Sequence, residues 1–199
     1  MPAITQAYHR PLHRRHRRTG GAIFRCTMVS CKPIALLAAL LVLSFTSVSE
    51  ASAATGHSLF HSRQLWATID VCTPKDQPNT LGIRGSMPSD GFASDKMYMR
   101  FRLQYQNPTT KQWIDDPARG ADSGFLTVGP ASSARQNGLS FQLTPVPGKP
   151  AFTLRGVVSF QWRKGVHVVH SASRPTTAGH QSLAGADPAG FSAATCVIG

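Results

Sequence analysis

Apolar and polar residues alternate along two long stretches of the chain, residues 97–105 and 152–162. In each stretch apolar side chains recur at every second position over most of the length. A period of two places successive side chains on opposite faces of a β-strand, so each stretch predicts a strand with one buried face. The polar rows that would face outward contain Tyr98, Arg100, Arg102 and Gln104 in the first stretch, and Arg155, Gln161 and Arg163 in the second.

Shorter segments of strand-like pattern are separated by turn residues at intervals of about ten residues. Asn107-Pro108 and Pro147-Gly148 favour tight turns, because Asn bonds back to the turn backbone, Pro pre-sets φ and Gly accepts positive φ. The additional predicted strands are 65–71, 79–85, 111–114, 124–128, 139–143, 166–173 and 192–197. We therefore predict an all-β fold, an antiparallel β-sandwich over residues 65–199, preceded by a flexible segment at 54–64.

The N-terminal part of the chain has the order of a secretory signal peptide. Residues 34–45 form an almost entirely apolar run that follows Lys32 and precedes Ala51-Ser52-Ala53. About a dozen apolar residues are too few to span a bilayer, which needs roughly 20. We predict that residues 1–53 are a leader cleaved after Ala53, with Met28 as an alternative start, and that the mature protein is secreted or associated with the envelope.

The net charge of +12 divides between the leader and the mature part. From residue 55 onward there are 14 Lys and Arg residues against eight Asp and no Glu, which leaves +6 on the folded part. The basic run at 9–18 would suit a nucleic-acid arm, but a long positive leader or a start at Met28 explains it equally. We predict no specific nucleic-acid partner, and membrane contact only through the uncleaved leader.

Four cysteines reduce to two in the mature chain, because Cys26 and Cys31 lie in the predicted leader. An even number of cysteines in an exported protein favours disulfide formation. We therefore predict a single disulfide between Cys72 and Cys196.

The order of strands in residues 96–177 resembles part of a known fold family. The region contains a strand, the hairpin 105–113, strand 139–143, the Pro147-Gly148 turn, and strands 152–162 and 171–177. This order resembles the C-C′-E-F-G half of a fibronectin type III or immunoglobulin-like domain. The resemblance implies that 97–105 and 152–162 are neighbours in one sheet. The chain departs from the family in its end-to-end disulfide and in residues 178–199; as a whole it resembles small exported bacterial proteins of unassigned function.

Several groups of polar residues are of the types that bind metals or act in catalysis. His167 and His170 have a spacing that suits a metal pair on a helix, but on a regular strand residues three apart face opposite ways. The remaining candidates are the loop aspartates Asp115, Asp116 and Asp122, and His180. No calcium-hand spacing, nucleophile elbow, phosphate loop or zinc-protease motif occurs in the mature chain. We therefore predict no catalytic residue, metal or cofactor.

A non-catalytic binding module is the function that these features favour. The outward rows would merge into one basic patch, in which arginines beside an aromatic residue suit anionic cell-envelope polymers or glycans. The predicted binding residues are Tyr98, Arg100, Arg102, Arg155 and Arg163. A secreted hydrolase that uses the Asp and His groups, and a purely structural surface protein, are the two alternatives.

The leader generates the first testable prediction. Mass spectrometry of exported protein should find an N-terminus at or within a few residues of Ala54, because the small residues at 51–53 suit signal peptidase. An exported protein that still contains residues 34–45 would contradict the prediction.

Overall fold

The structure is a computed structural model that describes residues 4–7, 56–180 and 184–199. One short helix and ten strands are seen in these ranges. They are β1 (Ile4–Ala7), α1 (Gly56–Phe60), β2 (Trp66–Cys72), β3 (Thr80–Met87), β4 (Lys96–Gln106), β5 (Trp113–Asp115), β6 (Asp122–Pro130), β7 (Arg135–Leu143), β8 (Phe152–Lys164), β9 (His167–Pro175) and β10 (Cys196–Ile198). The all-β prediction is confirmed, and each predicted strand overlaps an observed one.

The first sheet has the strand order β1-β7-β3-β2, and every pairing is antiparallel. β1 belongs to the residues that the sequence assigns to the leader, and it pairs with the last four residues of β7. The outer edge of β2 is covered by residues near the C-terminus. Ala193 forms a bridge with Ile69, and the backbone of Asp187 bonds to that of Asp70.

The second sheet is built around one long antiparallel pair, β4 and β8. The other edge of each of these two strands pairs with two further strands. β5 and β6 both pair with β4, and β9 and β10 both pair with β8. The sheet curls into a half-barrel. The prediction that 97–105 and 152–162 are neighbours in one sheet is confirmed.

The core lies between the inward faces of the two sheets. Its largest fully buried side chains are Trp162, Phe101, Phe141 and Phe160, which come from both sheets. The two sheets are in close contact at a glycine: a Cβ on Gly156 of β8 would lie 2.5 Å from Ile83 Cδ1 of β3. Glycine at this position therefore leaves room for the Ile83 side chain to pack against the backbone of β8.

The turn of the β4–β5 hairpin forms as its residues predict. The side-chain oxygen Oδ1 of Asn107 accepts hydrogen bonds from the backbone N–H groups of Thr109 and Thr110, at 2.9 and 3.0 Å. The Lys111 N–H donates to the Asn107 carbonyl at 2.9 Å. Asn107 thus closes the turn with both its side chain and its backbone.

The predicted disulfide is present. Cys72 ends β2 of the first sheet, Cys196 begins β10 of the second sheet, and their sulfur atoms are bonded. The bond joins an outer strand of each sheet across 124 residues of sequence. It therefore holds the two sheets together at one side.

The segment before the first long strand, predicted to be flexible at 54–64, contains a helical turn. It spans Gly56–Phe60, and Leu59 is buried. Among the described residues no helix is long and apolar enough to cross a membrane, and the apolar run 34–45 lies outside them.

Removal of the disulfide tests its role in stability. We expect the double substitution Cys72→Ser and Cys196→Ser to lower the free energy of unfolding by about 2–5 kcal/mol, because a long loop is released in the unfolded chain. Urea unfolding followed by tryptophan fluorescence would measure the loss. A variant with the stability of the oxidised wild type would contradict this expectation.

Candidate functional site

The outward surface of the second sheet is the candidate site, and we call it the arginine face. Alternate residues of β4 and β8 point into the core, so the residues between them are displayed together on the other side. The face consists of Tyr98, Arg100, Arg102 and Gln104 on β4, Arg155, Gln161 and Arg163 on β8, Phe125 and Asp122 on β6, and Trp113 and Asp115 on β5. The structure thus brings together all five predicted binding residues.

Arg163 lies at one end of the face, between two aromatic rings. Its Cζ atom is 4.1 Å from the centroid of the Tyr98 ring and 4.9 Å from that of Phe125. Its Nε donates a hydrogen bond to Oε1 of Gln161 at 2.8 Å. Among the described residues no carboxylate forms an ion pair with it. Cation–π contacts orient the guanidinium, and they leave its positive charge without a carboxylate partner.

Arg155 occupies the opposite end in a similar way. Its Cζ atom is 4.4 Å from the centroid of the Trp113 ring, and its Nε donates to Oε1 of Gln104 at 2.8 Å. Burial lowers the pKa of this guanidinium, while the nearby carboxylate of Asp115 acts in the opposite direction. An arginine begins from so high a pKa that it stays charged at neutral pH.

The middle of the face is close to neutral, because carboxylates from the flanking strands pair with its arginines. Arg100 forms a forked ion pair with Asp122 of β6. Arg102 Nη1 lies 2.8 Å from Asp115 Oδ2 of β5. Asp115 also accepts a hydrogen bond from Gln104 at 2.7 Å. The rows on β4 and β8 contain no carboxylate, as the sequence indicates, but β5 and β6 supply two.

The two stacked arginines are far apart along the same strand. Arg155 and Arg163 are eight residues apart in β8, which corresponds to about 27 Å at the usual rise of a strand. The face is therefore a track with a cation and an aromatic ring at each end. Guanidinium groups bind carboxylate and phosphate in a bidentate manner, and half-buried rings at a surface provide stacking area. Such a track suits an extended anionic polymer better than a small compact ligand.

Trp113, Phe125 and the two pairing aspartates are the residues of this face that the sequence analysis did not assign to it. Phe125 lies opposite Arg100, and Asp115 lies opposite Gln104. Their strands, β5 and β6, both pair with the same edge of β4, which the alternation pattern does not reveal. One feature of the sequence does indicate part of this arrangement: Trp113 and Asp115 are two residues apart, and so share a strand face.

The histidines and the loop aspartates that the sequence analysis weighed as candidates lie on different elements. A register shift near the end of the β8–β9 hairpin sets His167 opposite Lys164 and His170 opposite Trp162, so the two histidines share a side of the strand. The expectation that they face opposite ways is wrong, because the bulge adds one residue. His180 stacks on Trp66 at 4.4 Å, and burial lowers its pKa. Within 56–180 and 184–199 no three His, Cys, Asp or Glu side chains are grouped to hold a metal ion.

The Arg100–Asp122 pair makes stability depend on pH in a definite direction. The hydrogen bond from Arg100 lowers the pKa of Asp122 below its ordinary value of 3.8. The folded state therefore binds fewer protons than the unfolded state in this range. The stabilisation is present above pH 3.8 and is lost as the pH falls through the folded-state pKa.

We expect Asp122→Asn to lower the free energy of unfolding at pH 7 by at most about 1 kcal/mol, because the pair is partly exposed and screened by solvent. The difference from wild type should vanish in acid, where Asp122 is protonated in both states. Urea unfolding at several pH values would measure it. Asp76→Asn, at an exposed aspartate, is the matched control. A constant difference across this pH range would contradict the assignment.

Comparisons with protein-family models, with curated proteins and with solved structures found no match to this chain. The described residues form two antiparallel sheets, compatible with a β-sandwich and closed by the Cys72–Cys196 disulfide.

Proposed function

We propose that the mature protein is an exported, non-catalytic module that binds anionic polymers or glycans of the cell envelope through the arginine face. One observation carries the proposal. Arg155 and Arg163 rest on aromatic rings, and no carboxylate among the described residues forms an ion pair with either of them. Stacking on an aromatic ring is not required to keep a surface arginine solvated, whereas a ligand-binding arginine benefits from being held in one orientation.

The stacking geometry supports binding because it reduces the entropy lost when a ligand is bound. The flexible stem of arginine loses side-chain entropy when its head becomes fixed. The contacts with Tyr98, Phe125 and Trp113 fix part of that freedom before a ligand arrives. A carboxylate or phosphate of a polymer could then use the donors that the protein leaves open. The rings offer apolar surface to sugar units beside them.

The proposed location rests on the disulfide and on the signal-peptide pattern. A disulfide persists in oxidising compartments and is rare in a reducing cytosol. The bond between Cys72 and Cys196 is therefore consistent with an extracellular site. The proposed target, an envelope polymer, is found in that same compartment.

We further propose that the chain is immunoglobulin-like in its strand order. The order β7-β3-β2 would correspond to strands E-B-A, and β5-β4-β8-β9 to C′-C-F-G. This correspondence supports the resemblance noted in the sequence. β6 departs from it, because it adds to the same edge of β4 as β5 does and contributes Asp122 and Phe125 to the face.

A retention experiment with matched charge variants tests the proposed function. The probe is immobilised polygalacturonate, an anionic glycan, with neutral dextran as the control polymer. We expect Arg155→Gln with Arg163→Gln to reduce retention on polygalacturonate at least about fivefold, because both unpaired cations are removed. Lys75→Gln with Lys149→Gln changes the net charge equally at exposed positions outside the face, and should reduce retention much less.

The paired carboxylates provide a test in the opposite direction. Asp115→Asn with Asp122→Asn should strengthen retention, because Arg102 and Arg100 lose their protein partners. Retention should also fall between about 0.01 M and about 0.15 M salt, as the screening length shortens. Equal retention of the Arg155/Arg163 and Lys75/Lys149 variants would overturn the proposal, and so would retention that does not respond to salt.

A further inference from the structure

Exposed apolar side chains are concentrated at one end of the domain, around the β8–β9 turn. Val166 in the turn is 87% exposed, and Val168 and Val169 follow it in β9 at 48% and 41%. Phe92 and Phe60 are exposed by 51% and 36% on neighbouring segments. These five account for most of the eight large hydrophobic side chains that are exposed in the described part of the chain. We call this region the hairpin end.

Specific contacts hold these segments together. The indole N–H of Trp162 donates to the Pro88 carbonyl at 3.0 Å, which fixes the start of the loop that carries Phe92 beside β8. The His170 ring contacts the rings of Trp162 and Phe60, each at 6.3 Å between centroids. The hairpin end is therefore assembled from the β8–β9 turn, the loop 88–95 and the end of α1.

The β8–β9 turn extends beyond the rest of its sheet. The β4–β8 pairing stops at Lys96 and Arg163, whereas β8 and β9 continue to the pair Lys164 and His167. Gly165 between them has a φ of 61°, which lets the chain reverse tightly. Val166 is thus held on a projecting, ordered hairpin.

The charge around these apolar side chains has one sign. Lys96, Arg163 and Lys164 lie at or next to the turn. The segments 88–96 and 163–170 contain two carboxylates, Asp90 and Asp95, which are 0% and 4% exposed. The accessible surface is therefore apolar and cationic, with both acids withdrawn into the protein.

We propose that the hairpin end docks on a bilayer that contains anionic phospholipid, with Val166 inserted among the headgroups and Lys164 and Arg163 facing lipid phosphates. Exposed valines beside cations fit a fluid interface, where each apolar side chain finds its own hydrocarbon contact. Charge complementarity selects an anionic leaflet, since each basic residue near such a surface strengthens partitioning by about fivefold. This contact adds to the one through the uncleaved leader, which is the only membrane contact that the sequence predicts.

The test measures cosedimentation of the exported protein with vesicles, one set containing about a third phosphatidylglycerol in phosphatidylcholine and one set of pure phosphatidylcholine. We expect binding to the anionic vesicles that is weakened about tenfold by Val166→Asp, because an inserted carboxylate is repelled and hard to desolvate. Val197→Asp is the matched control at a valine of β10 that is 56% exposed. It should bind as the wild type does.

Two further measurements complete the test and separate it from polymer binding. Tryptophan fluorescence of Val166→Trp should shift to the blue with anionic vesicles and be quenched by brominated acyl chains. Arg155→Gln, at the far end of the arginine face, should leave vesicle binding unchanged even if it weakens glycan retention.

Three outcomes would overturn the proposal. They are equal vesicle binding by the Val166→Asp and Val197→Asp variants, equal binding of the wild type to neutral and anionic vesicles, and competition by millimolar glycerol phosphate that removes binding completely. Capture of a lipid-free envelope protein that depends on Val166, with no vesicle binding, would assign the hairpin end to a protein partner and also overturn it.

Discussion

The antiparallel pairing of β4 with β8 is the constraint on which the rest of the structure depends. Ten residue pairs align the strands, from Lys96 opposite Arg163 to Tyr105 opposite Leu154. Both strands alternate in the same phase, so one side supplies the core and the other supplies the arginine face. If one of these strands shifted by one residue, its arginines would point into the core and its buried aromatic side chains would point into water. Packing free energy therefore also fixes which side chains form the arginine face.

Local pattern predicted the strands well, since burial on one face of a strand imposes its own period on the sequence. The pairing of β4 with β8 followed from resemblance, and the structure confirms it. The ion pairs of the face could not be predicted, because Asp115 and Asp122 lie on the neighbouring strands β5 and β6. The alternation pattern of β4 and β8 does not show which side chains of other strands reach the face. A bulge likewise changed which side His167 occupies. The extra residue of a bulge depends on tertiary packing, and the alternation of apolar and polar residues does not reveal it.

Net charge alone says little about how charge is distributed over this surface. The folded part carries +6, yet the arginines at the centre of the arginine face are ion-paired and those at its two ends are not. The separation of about 27 Å between Arg155 and Arg163 exceeds the screening length at physiological salt, which is about 8 Å. The two ends are therefore electrostatically independent of each other.

The disulfide has a consequence for the protein after a proteolytic cut. Cys72 and Cys196 are separated by 124 residues, and every strand of the arginine face lies between them. The connection between β7 and β8, residues 144–151, is almost entirely exposed and is the kind of segment that proteases cut. A single cut there would leave two fragments joined by the sulfur–sulfur bond, with β4 and β8 still paired across the break. The protein could thus be nicked and yet remain one molecule.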